Sequence, residues 1–286
     1  MDTLIVAKQN QLGLKMAQKL EKELTKKFRS HIADCSIQFD PSTAKRLKKR
    51  GMSIKKFSGD MLITVGGDGT MLWASHQTNV PILPVKIEGH GFLCTVDFES
   101  LLKNLDKLIT KEYTVTERLR IKCNKIKYDR IEKYFSRIFP RIYPMSLNEI
   151  VFARKRPSKI LNVEFVIDDV AFRFSGDGLM FSTPSGSTAY SLSAGGSIID
   201  PSLDVITITP LYPFFSNIKP MVIPASKQII LKVTAGDCSI IVDGHGGEYV
   251  KADSEFLIEK GEPLKVINLE EHNFYKKFRT QFLQGQ

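Results

Sequence analysis

A chain of 286 residues with 42% hydrophobic and 25% charged side chains is long enough to bury sizeable cores, and its composition excludes the disordered and fibrous classes. Its 41 Lys and Arg against 31 Asp and Glu leave a net charge of +10, an excess that attracts polyanions, nucleotide phosphates included, without choosing among them. The four cysteines, Cys35, Cys94, Cys123 and Cys238, form no CxxC pair and have no histidine grouped with them, which argues against a zinc site or a disulfide framework.

Residues 4–7 read as a short buried strand, and 12–28, with Leu12, Met16, Leu20 and Leu24 four apart, as an amphipathic helix. A second strand follows at 36–39 and a short helix at 41–50, ended by Gly51. Residues 61–65 form a buried strand running into glycines, 70–77 a helix, and 82–87 another strand before a second glycine loop. Strand alternating with helix predicts an α/β domain with a parallel sheet. A helix at 101–108 leads into short β-rich segments at 118–126, 149–153, 161–167, 170–174, 179–182, 205–209, 228–233 and 239–242, with a tight hairpin at Ile167-Asp168-Asp169-Val170. These predict a mainly antiparallel β domain. The expected organisation is an α/β nucleotide-binding domain over 1–100, a β-rich domain over 101–267, and a helical stretch, 268–286, that packs back on the first.

No apolar run reaches the roughly 18 residues of a membrane span. The first residues, MDTLIVAKQNQ, carry no basic stretch before their apolar one, so they read as a strand rather than a signal peptide, and the expectation is a cytoplasmic protein. Two basic clusters stand out. Lys45, Arg46, Lys48, Lys49, Arg50, Lys55 and Lys56 lack interleaved aromatics and read as a solvated surface. The stretch 118–141 carries Tyr128, Tyr134, Phe135 and Phe139 and keeps an RNA-binding alternative open.

Gly66-Gly67-Asp68-Gly69-Thr70 lies between a buried strand and a helix, the place where open parallel sheets bind ligands. Three glycines let a backbone approach an anion and aim amides at it, with the helix dipole assisting, which predicts a phosphate cradle. Neither the P-loop ending nor the GxGxxG spacing is present. A carboxylate inside such a cradle repels phosphate unless it holds a metal ion or takes a proton, so Asp68 is functional in either role; a mere turn residue is the plain alternative. Residues 182–196, STPSGSTAYSLSAGG, bring eight hydroxyls and no charge: Ser182, Thr183, Ser185, Ser187, Thr188, Tyr190, Ser191 and Ser193. The apolar strand before them and Leu192 within argue for an ordered loop lining a polar, uncharged ligand such as a ribose or adenine, against a flexible linker. Just upstream, Gly176-Asp177-Gly178 again sets a carboxylate between glycines.

Gly66 to Thr70, Asn148-Glu149, the run from Gly176 through Ser182-Thr183-Pro184-Ser185-Gly186-Ser187-Thr188-Ala189-Tyr190, Ala194-Gly195-Gly196, Pro201-Ser202-Leu203 and Lys219-Pro220-Met221-Val222-Ile223-Pro224 together resemble the NAD kinase family. The glycine loop alone is shared with diacylglycerol and sphingosine kinases; its combination with STPSGSTAY is specific. The resemblance implies an α/β first domain, a NAD-binding β second domain and a homo-oligomer. It implies transfer of the terminal phosphate of ATP, with Mg²⁺ or another divalent cation, to the adenosine ribose 2′-hydroxyl of NAD. Asp68 matches the base on that hydroxyl, and Gly67, Gly69 and Thr70 the loop at the phosphates. Phe92 matches an aromatic beside the adenosine; Asn148, Ser185, Thr188, Ala189 and Tyr190 match nucleoside contacts, with Glu149 in the same pair as Asn148. Asp177 matches the acid near the nicotinamide, and Tyr212 and Phe214 fall where the pocket continues. No nucleic acid and no membrane are expected as partners. Departures are His90 for a leucine, Ser175 and Lys219 for arginines, and Phe214 for a histidine; they bear on pyrophosphate contacts, on NAD against NADH, and on donor choice. A lipid kinase with the same glycine loop, and a non-enzymatic nucleotide or RNA binder, are the alternatives from other classes.

Overall fold

Residues 2–7 alternate nothing: Leu4, Ile5 and Val6 are all buried, the signature of a strand covered on both faces. The structure is a computed structural model that describes residues 1–31, 35–89, 91–127, 143–214, 218–271 and 273–283, with only the backbone described at 29–31 and 283. Tyr128, Tyr134, Phe135, Phe139 and His90 lie outside the described residues. The chain divides into two units, Met1–Arg118 with Pro263–Gln286, and Leu119–Glu262.

The first unit is built on strands β1 (Asp2–Ala7), β2 (Ser36–Phe39), β3 (Met61–Gly66), β4 (Ile82–Lys86), β5 (Val96–Asp97), β6 (Thr114–Arg118) and β18 (Leu264–Asn268). Their order is β2-β1-β3-β4-β18-β6, with β5 beside β4. All pairs are parallel except β18 with β6, so the sheet is mixed and mostly parallel. Helix α1 (Gln11–His31) lays Ala17, Leu20, Leu24 and Phe28 on the core; this stripe is turned from the expected one, since Leu12 and Met16 are only half-buried. Each such fully buried Leu or Phe contributes roughly 1.5–3 kcal/mol. Helix α2 (Pro41–Leu47) starts at Asp40, whose carboxylate accepts from the amides of Ser42 and Thr43, and ends at left-handed Lys48 instead of reaching Gly51. Helix α3 (Asp68–Ser75) begins inside the glycine loop, two residues before the predicted start.

The change of unit falls at 118/119 rather than near 100. Helices α4 (Phe98–Lys103) and α5 (Leu105–Thr110), predicted as one helix, bury Phe98, Leu101, Leu105 and Leu108 in the first unit's core, and β6 pairs with β18 of the same unit. The returning segment ends in a short helix, Phe274–Phe278, and one π-helical turn, Arg279–Leu283.

The second unit has two antiparallel sheets. One, in order β10-β9-β14-β17-β7, contains β7 (Ile121–Lys127), β9 (Leu161–Ile167), β10 (Val170–Gly176), β14 (Ile229–Ala235) and β17 (Glu255–Lys260). The other, in order β13-β12-β11-β8-β15-β16, contains β8 (Glu149–Arg154), β11 (Gly178–Ser182), β12 (Val205–Leu211), β13 (Met221–Pro224), β15 (Cys238–Val242) and β16 (His245–Val250). Period-2 burial in β9 and β15 turns one face of each inward, onto a core with Phe152, Phe165, Phe174, Phe181 and Phe256. The β9–β10 turn has Asp168 at φ 48° and Asp169 at φ 64°, the two positive angles a type I′ hairpin requires.

Candidate functional site

Because β3 and β4 are neighbouring parallel strands, their C-terminal ends deliver two stretches to one edge of the sheet: the glycine loop and residues 87–89 with 91–95. The Ile87 amide bonds the Gly66 carbonyl there at 3.0 Å. A side chain on Gly67 or Gly69 would meet open space, so packing does not demand these glycines; they leave room for an approaching group beside the start of α3. Thr70 lies close over Gly66, where an added Cβ would stand 2.2 Å from its hydroxyl.

Asp68 reaches across to the second stretch. Its Oδ2 accepts from the Phe92 amide at 2.6 Å, and its Oδ1 from the amides of Leu93 at 3.0 Å and Cys94 at 3.3 Å. Gly91 is required by this contact: a Cβ there would lie 2.9 Å from Oδ1. Burial, with the Asp68 charge nearby, pushes the Cys94 thiol up to about 12, so it stays protonated. Phe92, predicted beside the adenosine, is half-buried and packs edge-on against Phe274 at 5.5 Å between centroids, with Phe282 at 6.0 Å. Among the described residues no group of three His, Cys, Asp or Glu is placed to hold a metal ion.

In the second unit, Asn148 directly precedes β8 and Glu149 opens it, and both are buried. Glu149 stands opposite Ser182 on β11, and Ser182 opposite Thr207 on β12, a row of polar side chains on one sheet face. Glu149 Oε2, Ser182 Oγ, Thr207 Oγ1 and Asn148 Oδ1 are all buried without a hydrogen-bond partner. Leaving a buried polar atom unpaired costs about 1–3 kcal/mol, so four together mark a place made for a ligand or water. Burial and the Asp243 carboxylate raise Glu149 to about 8 against the favourable Tyr190 amide, which leaves it protonated at neutral pH.

The hydroxyl-rich loop is ordered. Thr183 Oγ1 donates to the Leu147 carbonyl at 2.5 Å and accepts from the Gly186 amide at 3.1 Å; Ser187 Oγ donates to the Pro184 carbonyl at 2.7 Å and accepts from the Ile199 amide at 3.0 Å. Gly186 passes so close to Asn148 that an added Cβ would meet its carbonyl oxygen at 2.1 Å. Thr183 and Ser187 therefore hold the loop in shape; Ser182, Ser185 and Ser191 are buried as well, Thr188 and Ala189 are half-buried, and Tyr190 is 48% exposed.

Asp177 lies at the other end of β11, five residues or roughly 16 Å of strand from Ser182. Its carboxylate pairs with Arg154 at 2.9 Å. The Ser175 hydroxyl instead bonds Asn162 Oδ1 at 2.5 Å, so the cation beside Asp177 is supplied from β8. Leu211 opposes Gly178, which brings Tyr212 and Phe214 to this end too; Tyr212 is 81% exposed at a positive φ of 45°. The predicted residues of this unit thus form two groups, one at each end of β8 and β11.

Two residues of this unit escaped the sequence reading, Arg154 beside Asp177 and the carboxylate of Asp243. Asp243, buried in the β15–β16 turn at φ 47°, accepts from Ser146 Oγ at 2.6 Å and from the amides of Leu147, Asn148 and Glu149 at 2.9, 2.8 and 3.0 Å. It fixes the backbone of the Asn148-Glu149 pair. Its only sequence signal is Asp243-Gly244 between apolar alternations, which any hairpin shows.

Comparison with known proteins matches residues 3–113 to the family model described as ATP-NAD kinase N-terminal domain and 147–269 to that described as ATP-NAD kinase C-terminal domain. A NAD kinase from Methanothermobacter thermautotrophicus is 32% identical over 246 residues, 84% of this chain and 82% of its own. Two solved structures share the fold. Yeast NADH kinase complexed with NADH has a TM-score of 0.86 at 22% identity, covering 99% of this chain and 87% of its own. An Archaeoglobus fulgidus NAD kinase in complex with ATP has a TM-score of 0.73 at 24% identity, covering 99% and 97%.

Proposed function

The chain belongs to the ATP-NAD kinase family, and from that premise we propose that it transfers the terminal phosphate of ATP to the 2′-hydroxyl of the adenosine ribose of NAD, producing NADP. The observation that carries this reading is Asp68, a carboxylate fixed by three amides beside two glycines that face open space. The glycine loop takes the phosphates through its amides and the start of α3. Phosphoryl transfer through a loose transition state asks for alignment and charge neutralisation rather than a covalent nucleophile. A ribose hydroxyl is far too weak an acid to ionise beforehand, so Asp68 accepts its proton late in the transfer. Oδ2, with one amide donor against two on Oδ1, is the oxygen with more capacity for that hydroxyl.

The residues present suit a divalent cation that arrives with ATP rather than one caged by protein. Asp68 is the carboxylate at the loop and much of its accepting capacity is already spent on amides. Mg²⁺ bound to the triphosphate supplies neutralisation of phosphate charge.

In the second unit, the unpaired Asn148 Oδ1 and the exposed Tyr190 ring offer a hydrogen bond and a stacking face to a nucleoside. Asp177 and Arg154 stand roughly 16 Å along the strands from that group, a spacing that suits a ligand with two ends such as a dinucleotide. A homo-oligomer in the cytoplasm, with NAD and ATP as its partners, completes the proposal. The lipid-kinase and non-enzymatic alternatives are not supported, since both family models matched are those of ATP-NAD kinases. Incubating the purified protein with NAD, ATP and Mg²⁺ and measuring NADP with an NADP-specific dehydrogenase tests the reading. No NADP at any donor concentration would refute it.

A further inference from the structure

Two of the three amides that hold Asp68 are themselves held from behind. The C=O of Gly91 and the N–H of Phe92 belong to one peptide group. The N–H end donates to Asp68 Oδ2 at 2.6 Å, and the C=O end accepts from Gln281 Nε2 at 2.8 Å. The next peptide group repeats the arrangement: the Leu93 N–H donates to Asp68 Oδ1 at 3.0 Å, and the Phe92 C=O accepts from Lys277 Nζ at 2.8 Å. Lys277 also donates to the Cys94 carbonyl at 2.5 Å and lies 5.5 Å from the centroid of the Phe92 ring. Lys277 and Gln281 are four residues apart, the spacing that puts two side chains on one helical face.

We propose that Lys277 and Gln281 are positioning residues for Asp68, clamping the carbonyl ends of two of the three peptide groups whose amide ends orient its carboxylate. This rests on Asp68 being the base of the proposed reaction. A donor on a carbonyl polarises the peptide group and strengthens the bond its N–H makes, so hydrogen bonds in such a chain reinforce one another. The ammonium has the larger share because it is charged and serves two carbonyls. Phe274 and Phe282 against the Phe92 ring keep the helical segment seated on the loop. Burial pulls the Lys277 ammonium down to about 8, while the charge of Asp68 holds it up, as expected of a cation withdrawn from water towards a carboxylate it does not touch. The arrangement makes the C-terminal segment part of the catalytic apparatus rather than a simple covering of the first unit.

Steady-state kinetics and amide hydrogen exchange on the full chain test this. Lys277→Met is expected to lower kcat roughly tenfold to a hundredfold, as small misplacements of a reacting group do, with the KM for NAD within about twofold. Lys277→Arg should restore most of the loss, and Gln281→Leu should show a smaller fall in kcat. The amides of Phe92 and Leu93 should exchange at least about tenfold faster in Lys277→Met while those of β1 and β3 stay unchanged. With Asp68→Asn already in place, Lys277→Met should remove little further turnover, because the two act as one unit. Unchanged kcat or unchanged exchange at Phe92 and Leu93 in Lys277→Met, or full additivity with Asp68→Asn, would overturn the proposal. Exchange is read without substrate, so a chain that makes no NADP would sink the proposed reaction while leaving the clamp itself decided. Should Lys277→Met not fold, Gln281→Leu carries the same kinetic and exchange readouts.

Discussion

Asp243 Oδ1 accepts the backbone N–H of Asn148 at 2.8 Å, tying a buried carboxylate in the β15–β16 turn to the pair of residues at the start of β8. The same carboxyl group serves Ser146, Leu147 and Glu149, so one side chain organises four consecutive residues. Truncation to Asp243→Ala strands three buried amides. The expected loss is about 3 kcal/mol, or roughly 6–12 °C in the thermal midpoint, and NAD binding should weaken with it because Asn148 loses its backbone support. Calorimetric unfolding and NAD titration of the variant check both; a midpoint within a degree of the parent would contradict the anchoring role.

Glu149 gives the protein a pH dependence of definite sign. Its ordinary value of 4.5 rises to about 8 in the fold, chiefly through burial. The folded chain therefore keeps a proton that the unfolded chain releases near pH 4.5, and stability falls as pH rises from about 4.5 to about 8. Glu149→Gln stays neutral throughout. It should be more stable than the parent at pH 8, by up to a few kcal/mol, and indistinguishable from it near pH 4. Thermal melts across this range decide the matter, and a gap that widens toward low pH would reverse the assignment.

The sequence and the fold agree where the determinants are local. The glycine loop around Asp68 shows as a break between a buried strand and a helix, and the Asp168-Asp169 turn as two residues tolerant of positive φ. What escaped is set by distant contacts. β6, with Thr114, Glu117 and Arg118, is exposed on its own and becomes a strand by pairing with β18; β17, Glu255–Lys260, carries charge at both ends. Asp243 looked like any hairpin residue because its four partners lie 94 to 97 positions earlier. The role of the hydroxyls in 182–196 was legible as order but not in detail, since bonds such as Thr183 to Leu147 depend on β8 lying alongside β11.

With Asp177 placed at the nicotinamide end, as the proposed function has it, the Arg154–Asp177 pair is expected to influence the choice between oxidised and reduced dinucleotide. Its side chains are 28% and 35% exposed, so the pair is worth only about 0.2–1 kcal/mol. Arg154→Met leaves Asp177 as an uncompensated carboxylate, which favours the cationic nicotinamide of NAD. The ratio of kcat/KM for NAD to that for NADH should rise roughly two- to fivefold, whereas Asp177→Ala should lower it. Shifts in the same direction for the two variants would show that this pair does not face the nicotinamide.

Tyr190→Ala and Asn148→Ala should act mainly on binding. One removes an exposed ring face and the other an unpaired amide oxygen, and about 0.5–1.5 kcal/mol each corresponds to a loss of roughly two- to tenfold in NAD affinity. Isothermal titration with NAD measures this directly. Unchanged affinity in both variants would move the nucleoside away from this end of β8.

The most direct measurement of the central claim is turnover and NAD affinity in Asp68→Asn. The amide keeps one oxygen for the loop and loses the ability to take a proton. With ATP and Mg²⁺ present, NADP formation should fall by about 10²- to 10⁴-fold while the Kd for NAD, measured by calorimetry, stays within a few-fold of the parent. Turnover near the parent's would contradict the assignment of Asp68 as the base.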